Sequence, residues 1–142
     1  MTEPALVLRK LMLLREHVAR ARRRRPPDLA TWRGDVDRQD ALGMSVFVAL
    51  QEAIDIAFHI AAEEGFGVPA SNAEAFELLG RRGVISSELA VWMSNGAALR
   101  NRIAHGYASI DADRLWAELP GGLDALERYA ASVAAFLGPP AR

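Results

Sequence analysis

Apolar residues in this chain return every three or four positions and never settle into alternation, the pattern of amphipathic helices rather than of strands. Five helices follow from that pattern and its punctuation. The first covers about residues 3–25, with Leu6, Leu13 and Val18 among its apolar positions, and the Pro26-Pro27 pair ends it. The second covers about residues 37–64. It carries Leu42, Val46, Ala49, Ala53, Ile56 and Ile60 at three- and four-residue steps before Gly65 and Gly67 stop it, and is long and apolar enough to be central. Ser71 and Glu74 have the spacing of a capping box, so a short third helix covers about residues 73–79 and closes at Gly80 or Gly83. Ser86 or Ser87 starts the fourth, whose expected core stripe is Leu89, Trp92, Gly96, Leu99 and Ile103. Asp111 or Asp113 caps a fifth, expected to break at Pro120-Gly121-Gly122 and to resume over residues 123–137. The sum is an all-α fold, an antiparallel helical bundle of about five helices in one domain over residues 1–142.

Composition removes several chemistries. With no cysteine there is no disulfide frame, thiolate metal site or cysteine nucleophile. No run approaches the ~20 uncharged residues that a bilayer crossing needs. The N-terminus is charged at Glu3, Arg9 and Lys10, so a cytoplasmic protein with no membrane partner is expected. Glu52 and Asp55 lack a third ligand at suitable spacing, so no metal site is expected. His59, beside Ile56 and Ile60, reads as a hydrogen-bonded structural histidine.

The net charge of −1 conceals a split: residues 1–33 hold nine Lys+Arg against three Asp+Glu, and the remainder holds eight against fifteen. Most of the excess is Arg20 with Arg22, Arg23, Arg24 and Arg25. Such a cluster suits a solvated helix end that offsets the C-terminal dipole, with contact to phosphates or to an acidic protein surface as the alternatives.

The densest chemistry lies in the run Arg100-Asn101-Arg102-Ile103-Ala104-His105-Gly106-Tyr107. With Ile103 facing the core, Asn101 and His105 point outward. Four residues apart, they are neighbours on one face, so the amide can hydrogen-bond and orient the imidazole. Arg100 sits on the flank, about 140° from His105 on a regular helix, and must reach round to share a ligand with it. Gly106 suits a helix C-terminus, which puts His105 in the last turn, where the dipole favours a cation.

Arg100, four residues, His105, one residue, Tyr107 is the signature of HepT-like proteins of the HEPN superfamily, and this chain resembles them well beyond it. The segments Ala53-Ile54-Asp55-Ile56-Ala57, His59-Ile60, Gly67-Val68-Pro69, Glu74-Ala75-Phe76, Gly83-Val84-Ile85 and Ile110-Asp111 match in order and spacing, over roughly residues 40–115. The polar residue that usually follows the arginine is Asn101 here. The resemblance implies a metal-independent endoribonuclease without cofactor, the toxin of a type VII (HEPN/MNT) toxin-antitoxin system. It would be a homodimer joined through the motif-bearing helices. Its antitoxin would be a separate minimal nucleotidyltransferase, which in some relatives transfers AMP to the motif tyrosine, here Tyr107.

Chemistry fits that implication. A two-fold axis near His105 supplies two imidazoles, one as base for a ribose 2′-hydroxyl and one as acid for the departing 5′-oxygen. Arg100 would neutralise charge on the phosphate, with Arg102 as a further RNA contact and Tyr107 as RNA contact or modification site. The alternative is a non-catalytic HEPN subunit that serves a nucleotidyltransferase as partner or substrate.

Overall fold

The computed structural model describes residues 3–106 and 110–139, which contain six α-helices: α1 (Pro4–Arg24), α2 (Leu29–Arg33), α3 (Val36–Glu63), α4 (Asn72–Arg81), α5 (Ser87–His105) and α6 (Ala112–Leu137). Five of the six starts are written in side-chain caps, and α1 begins instead at Pro4. Asp28, Asp35, Ser71, Ser86 and Asp111 each accept a backbone N–H from three residues on, satisfying a donor that the first helical turn leaves orphaned. The Glu74 carboxylate adds a bond from the Ala70 N–H, closing the α4 start from the other side.

The bundle is built round α3, which touches all five other helices. Leu42, Val46, Ala49, Leu50, Ala53, Ile56, Ala57 and Ile60 of this helix are buried. Its most apolar 18-residue window has a mean hydropathy of 1.6, long and apolar enough to cross a membrane by length and composition, yet here that apolarity packs against neighbouring helices. Tyr129 of α6 is wholly buried, meets Phe76 edge-to-face, and donates its hydroxyl to the Ala53 carbonyl at 2.8 Å.

Two details of the helix reading differ from expectation, for identifiable reasons. The five-helix count misses α2, a single turn between Pro27 and Gly34. It exists because fully buried Trp32 anchors it, donating Nε1–H to the Ala112 carbonyl at 2.7 Å, while Arg33 forks onto Asp113 at 2.6 and 3.0 Å. The expected break at Pro120-Gly121-Gly122 does not occur, because α6 runs unbroken through all three residues. Proline has no N–H to give the carbonyl four residues back, Trp116 O. Arg25 supplies the missing donor: its Nε–H reaches Trp116 O at 2.9 Å, and its guanidinium lies 4.1 Å from the Trp116 ring centroid. Trp116 in turn donates Nε1–H to the Pro26 carbonyl at 3.0 Å. The bare face of Gly121 receives the Trp92 ring, which would lie 3.0 Å from any Cβ placed there.

The arginine cluster is only partly a solvated end: Arg22 and Arg23 are exposed, yet three of its members bond to other helices. Arg22 pairs with Asp124 at 2.7 Å and Glu127 at 3.1 Å on α6, Arg24 donates to Ser45 Oγ at 2.6 Å on α3, and Arg25 repairs the proline. His59 also differs from expectation, since its Nε2 is buried with no hydrogen-bond partner among the described residues. His17 on α1 has its Nδ1 in the same position, and burial first, then the Arg20 charge, lowers its pKa below the usual 6.5.

Two predictions follow from these contacts. Arg25→Ala should cost about 1–3 kcal/mol in urea unfolding, since it orphans a carbonyl and removes a charged donor. In a Pro120→Ala background, where residue 120 regains its N–H, the same substitution should cost clearly less. For His17 the unfolded chain binds the proton more readily than the folded one, so stability should fall as pH drops through about 6.5. His17→Gln should flatten that part of the urea midpoint against pH curve.

Candidate active site

The last turns of α5 present the motif. Ser86 caps the start of this helix, Leu89, Ala90, Met93 and Ala97 bury one face, and Gly106 closes it with φ 145°, a conformation open to glycine and strained for other residues. His105 is the final helical residue and is exposed, as are Asn101 and Arg102. Tyr107 lies outside the described residues.

The buried face is rotated from the expected stripe. Leu89 is buried as foreseen, but Trp92 is 41% exposed and Leu99 and Ile103 are only half-buried, while Ala90, Met93 and Ala97 fill the interior. Helices approach closely at these small residues: a Cβ on Gly80 of α4 would lie 2.9 Å from Ala90 Cβ, and one on Gly96 would lie 2.8 Å from Leu50 Cδ2 of α3. The rotation turns Arg100, seven residues after Met93, inward toward α3.

Arg100 is held there on three sides. Its Nε–H donates to Gln51 Oε1 at 2.8 Å, its guanidinium carbon lies 5.1 Å from the Phe47 ring centroid, and NH1 donates to Asn101 Oδ1 at 3.3 Å. Asn101 Oδ1 also accepts from Asn72 Nδ2 at the start of α4, at 3.4 Å. The expected Asn101 to His105 hydrogen bond is therefore replaced by one that ties Asn101 to Arg100 and α4. No hydrogen bond joins the amide to the imidazole among the described residues.

The sequence pattern does not single out Gln51, Phe47 or Asn72. The available signal was a polar group, Gln51, Glu52 and Asp55, on an otherwise apolar stretch of α3. Asp55 and Glu52, weighed only as metal ligands, share Lys10 Nζ at 3.4 Å each instead. Arg102 lies about 200° round α5 from Arg100. It lines a groove of about 730 Å³ between α5 and α6, floored by Val46 and Leu50, to which Arg100, Asn101 and His105 do not contribute.

The class this defines is a HEPN-fold helical bundle that carries Arg-Asn-x3-His at the C-terminal end of a helix packed on the central one. Solved structures similar to it agree on the fold. A chain of a toxin-antitoxin crystal structure with AMP-PNP superposes with a TM-score of 0.86 at 21% identity, covering 92% of this chain and 98% of that one. A tri-AMPylated Shewanella oneidensis HEPN toxin, solved in complex with its MNT antitoxin, gives 0.86 at 22% identity over 94% of this chain and 99% of that one. The family model described as ribonuclease HepT-like matches residues 14–133, and the chain belongs to that family. It is 25% identical over 135 residues to the tRNA nuclease HepT of Aphanizomenon flos-aquae, covering 95% of this chain and 92% of that relative. It is 28% identical over 86 residues to the mRNA nuclease HepT of Shewanella oneidensis, covering 61% of this chain and 65% of that relative.

Gly106→Ala should cost about 1–3 kcal/mol of stability in urea unfolding, the strain of a Cβ at this φ. A substitution to Ala at Gly122, where a Cβ meets nothing within 4 Å, is the unstrained comparison and should be neutral or stabilising.

Proposed function

We propose that this protein is the endoribonuclease toxin of a HEPN/MNT toxin-antitoxin pair, acting in the cytoplasm on RNA without a metal ion. The observation that carries the reading is the site itself: a fixed guanidinium at Arg100 and an exposed imidazole at His105, on the same helix end. The nuclease names of its relatives support the reaction class.

A protomer offers one His105, and strand cleavage by the ribose needs a base and an acid at once. A homodimer that packs the exposed Asn101 and His105 faces together about a two-fold axis provides both. One His105 takes the proton of the 2′-hydroxyl, and the oxygen attacks phosphorus. The bond from phosphorus to the 5′-oxygen breaks, and the second His105, protonated, gives its proton to that oxygen. The products are a 2′,3′-cyclic phosphate and a free 5′-hydroxyl. Arg100 stabilises the charge that builds on the non-bridging oxygens, and Arg102 contacts the strand further along the helix.

The antitoxin is a separate minimal nucleotidyltransferase. A relative solved as a tri-AMPylated toxin with MNT antitoxin supports silencing by AMP transfer, with Tyr107 as the acceptor in this chain. The same observation favours a second reading, in which the chain is a non-catalytic subunit that only receives AMP at Tyr107.

Labelled RNA incubated with the purified protein in EDTA separates the two. Cleavage to cyclic-phosphate ends, reduced roughly 100-fold or more by either His105→Ala or Arg100→Ala, is expected. RNA left intact would favour the non-catalytic subunit. Cleavage undiminished in His105→Ala would remove the histidine from the mechanism.

A further inference from the structure

Arg100 is the end of a hydrogen-bonded chain that starts on α1. Lys10 Nζ donates to Asp55 Oδ2 at 3.4 Å, and the other oxygen of the same carboxylate accepts from Gln51 Nε2 at 2.8 Å. Gln51 Oε1 then accepts the Arg100 Nε–H at 2.8 Å. Gln51 and Asp55 are one turn apart on α3, so the helix presents them together. Lys10 also reaches Glu52 at 3.4 Å, which fixes the ammonium between two carboxylates.

The geometry points to Gln51 as a positioning residue for Arg100, with Asp55 as the group that sets its amide the right way round. This inference rests on the nuclease reading above and adds residues from α1 and α3 to it. An amide is two-faced: its oxygen accepts and its nitrogen donates. A guanidinium has donors only, so Gln51 holds Arg100 only with the oxygen turned toward it. Asp55 is an acceptor and therefore claims the amide nitrogen, which leaves the oxygen for Arg100. Lys10 in turn fixes Asp55.

This hold decides which edge of the guanidinium is available. With Nε–H committed to Gln51, the Nε side is closed to a phosphate, and the end-on edge formed by NH1 and NH2 remains. Among the described residues NH2 makes no hydrogen bond, and NH1 spends one on Asn101 at 3.3 Å. The Phe47 ring restricts tilt of the plane. Preorganisation of this kind acts on the transition state, where the phosphate oxygens gain charge and a misplaced donor is worth least.

Two measurements on the full chain test it. In spectra of arginine Nε–H groups, the Arg100 resonance should be protected from solvent exchange in the parent protein, should lose that protection in Gln51→Leu, and should keep it in Gln51→Glu, which retains an acceptor. In RNA cleavage, Gln51→Leu should lower kcat roughly 10- to 100-fold with KM changed by less than about threefold, and Gln51→Glu should recover most of the loss. Asp55→Ala, which frees the amide to rotate, should show an intermediate loss in both readouts and keeps the test available if Gln51→Leu does not fold. Unchanged Arg100 protection in Gln51→Leu, or cleavage at the parent kcat, would overturn the inference. A parent protein that cleaves no RNA would instead remove the nuclease reading, and the exchange measurement would still decide what holds Arg100.

Discussion

The approach of α5 to α3 is the contact on which the rest depends. Gly96 has no side chain where Leu50 passes, and a Cβ at that position would lie 2.8 Å from Leu50 Cδ2. One turn further along, the same closeness lets Arg100 reach Gln51 and Phe47, both on α3. Had α5 stood further off, the arginine would trail into solvent like Arg102, and its guanidinium would have no fixed plane. The small residues of α5 therefore shape the chemistry indirectly, through the separation of two helix axes.

Charge in this molecule is spent largely on holding helices in place. Exposed ion pairs such as those of Arg22 and Arg33 contribute little singly. Arg25 differs, because its partner is a carbonyl that Pro120 leaves without a donor and a ring that it covers. That arrangement lets proline sit inside a 26-residue helix, and keeps α6 unbroken beside the groove that faces α5. Arg100 follows the same logic with a different outcome. It is held on one edge and offered on the other.

Much of the fold was legible because capping residues announce themselves locally. Helix starts at Ser71, Ser86 and Asp111, and stops at Pro26 and Gly106, lie where spacing and side-chain chemistry put them. What was not legible depended on partners distant in sequence. The α2 turn is held by Trp32 bonding to Ala112, and the proline inside α6 is answered by an arginine on the other side of the chain. The core stripe of α5 was misplaced because large residues, Trp92 and Leu99, were read as interior. The interior positions are Leu89, Ala90, Met93 and Ala97. For the site, the motif residues were found in sequence, and the resemblance to HepT-like proteins named them. Their bonding was not found: Asn101 serves Arg100 and Asn72 rather than His105, and Gln51 carries no signal until α3 and α5 are packed together.

The account turns on two copies of the α5 end facing each other, so that one sequence position supplies both acid and base. The chain has no cysteine, so a single introduced thiol reports on that geometry without interference. Ala98 is exposed on the same side of α5 as His105, two turns earlier, and Ala98→Cys treated with a short bis-maleimide should give a covalent dimer in high yield. A cysteine at Met12, 72% exposed on α1, a helix that makes no contact with α5 among the described residues, serves as the reference and should stay monomeric. Equal yields at the two positions, or none at residue 98, would contradict a shared site built from paired His105 side chains.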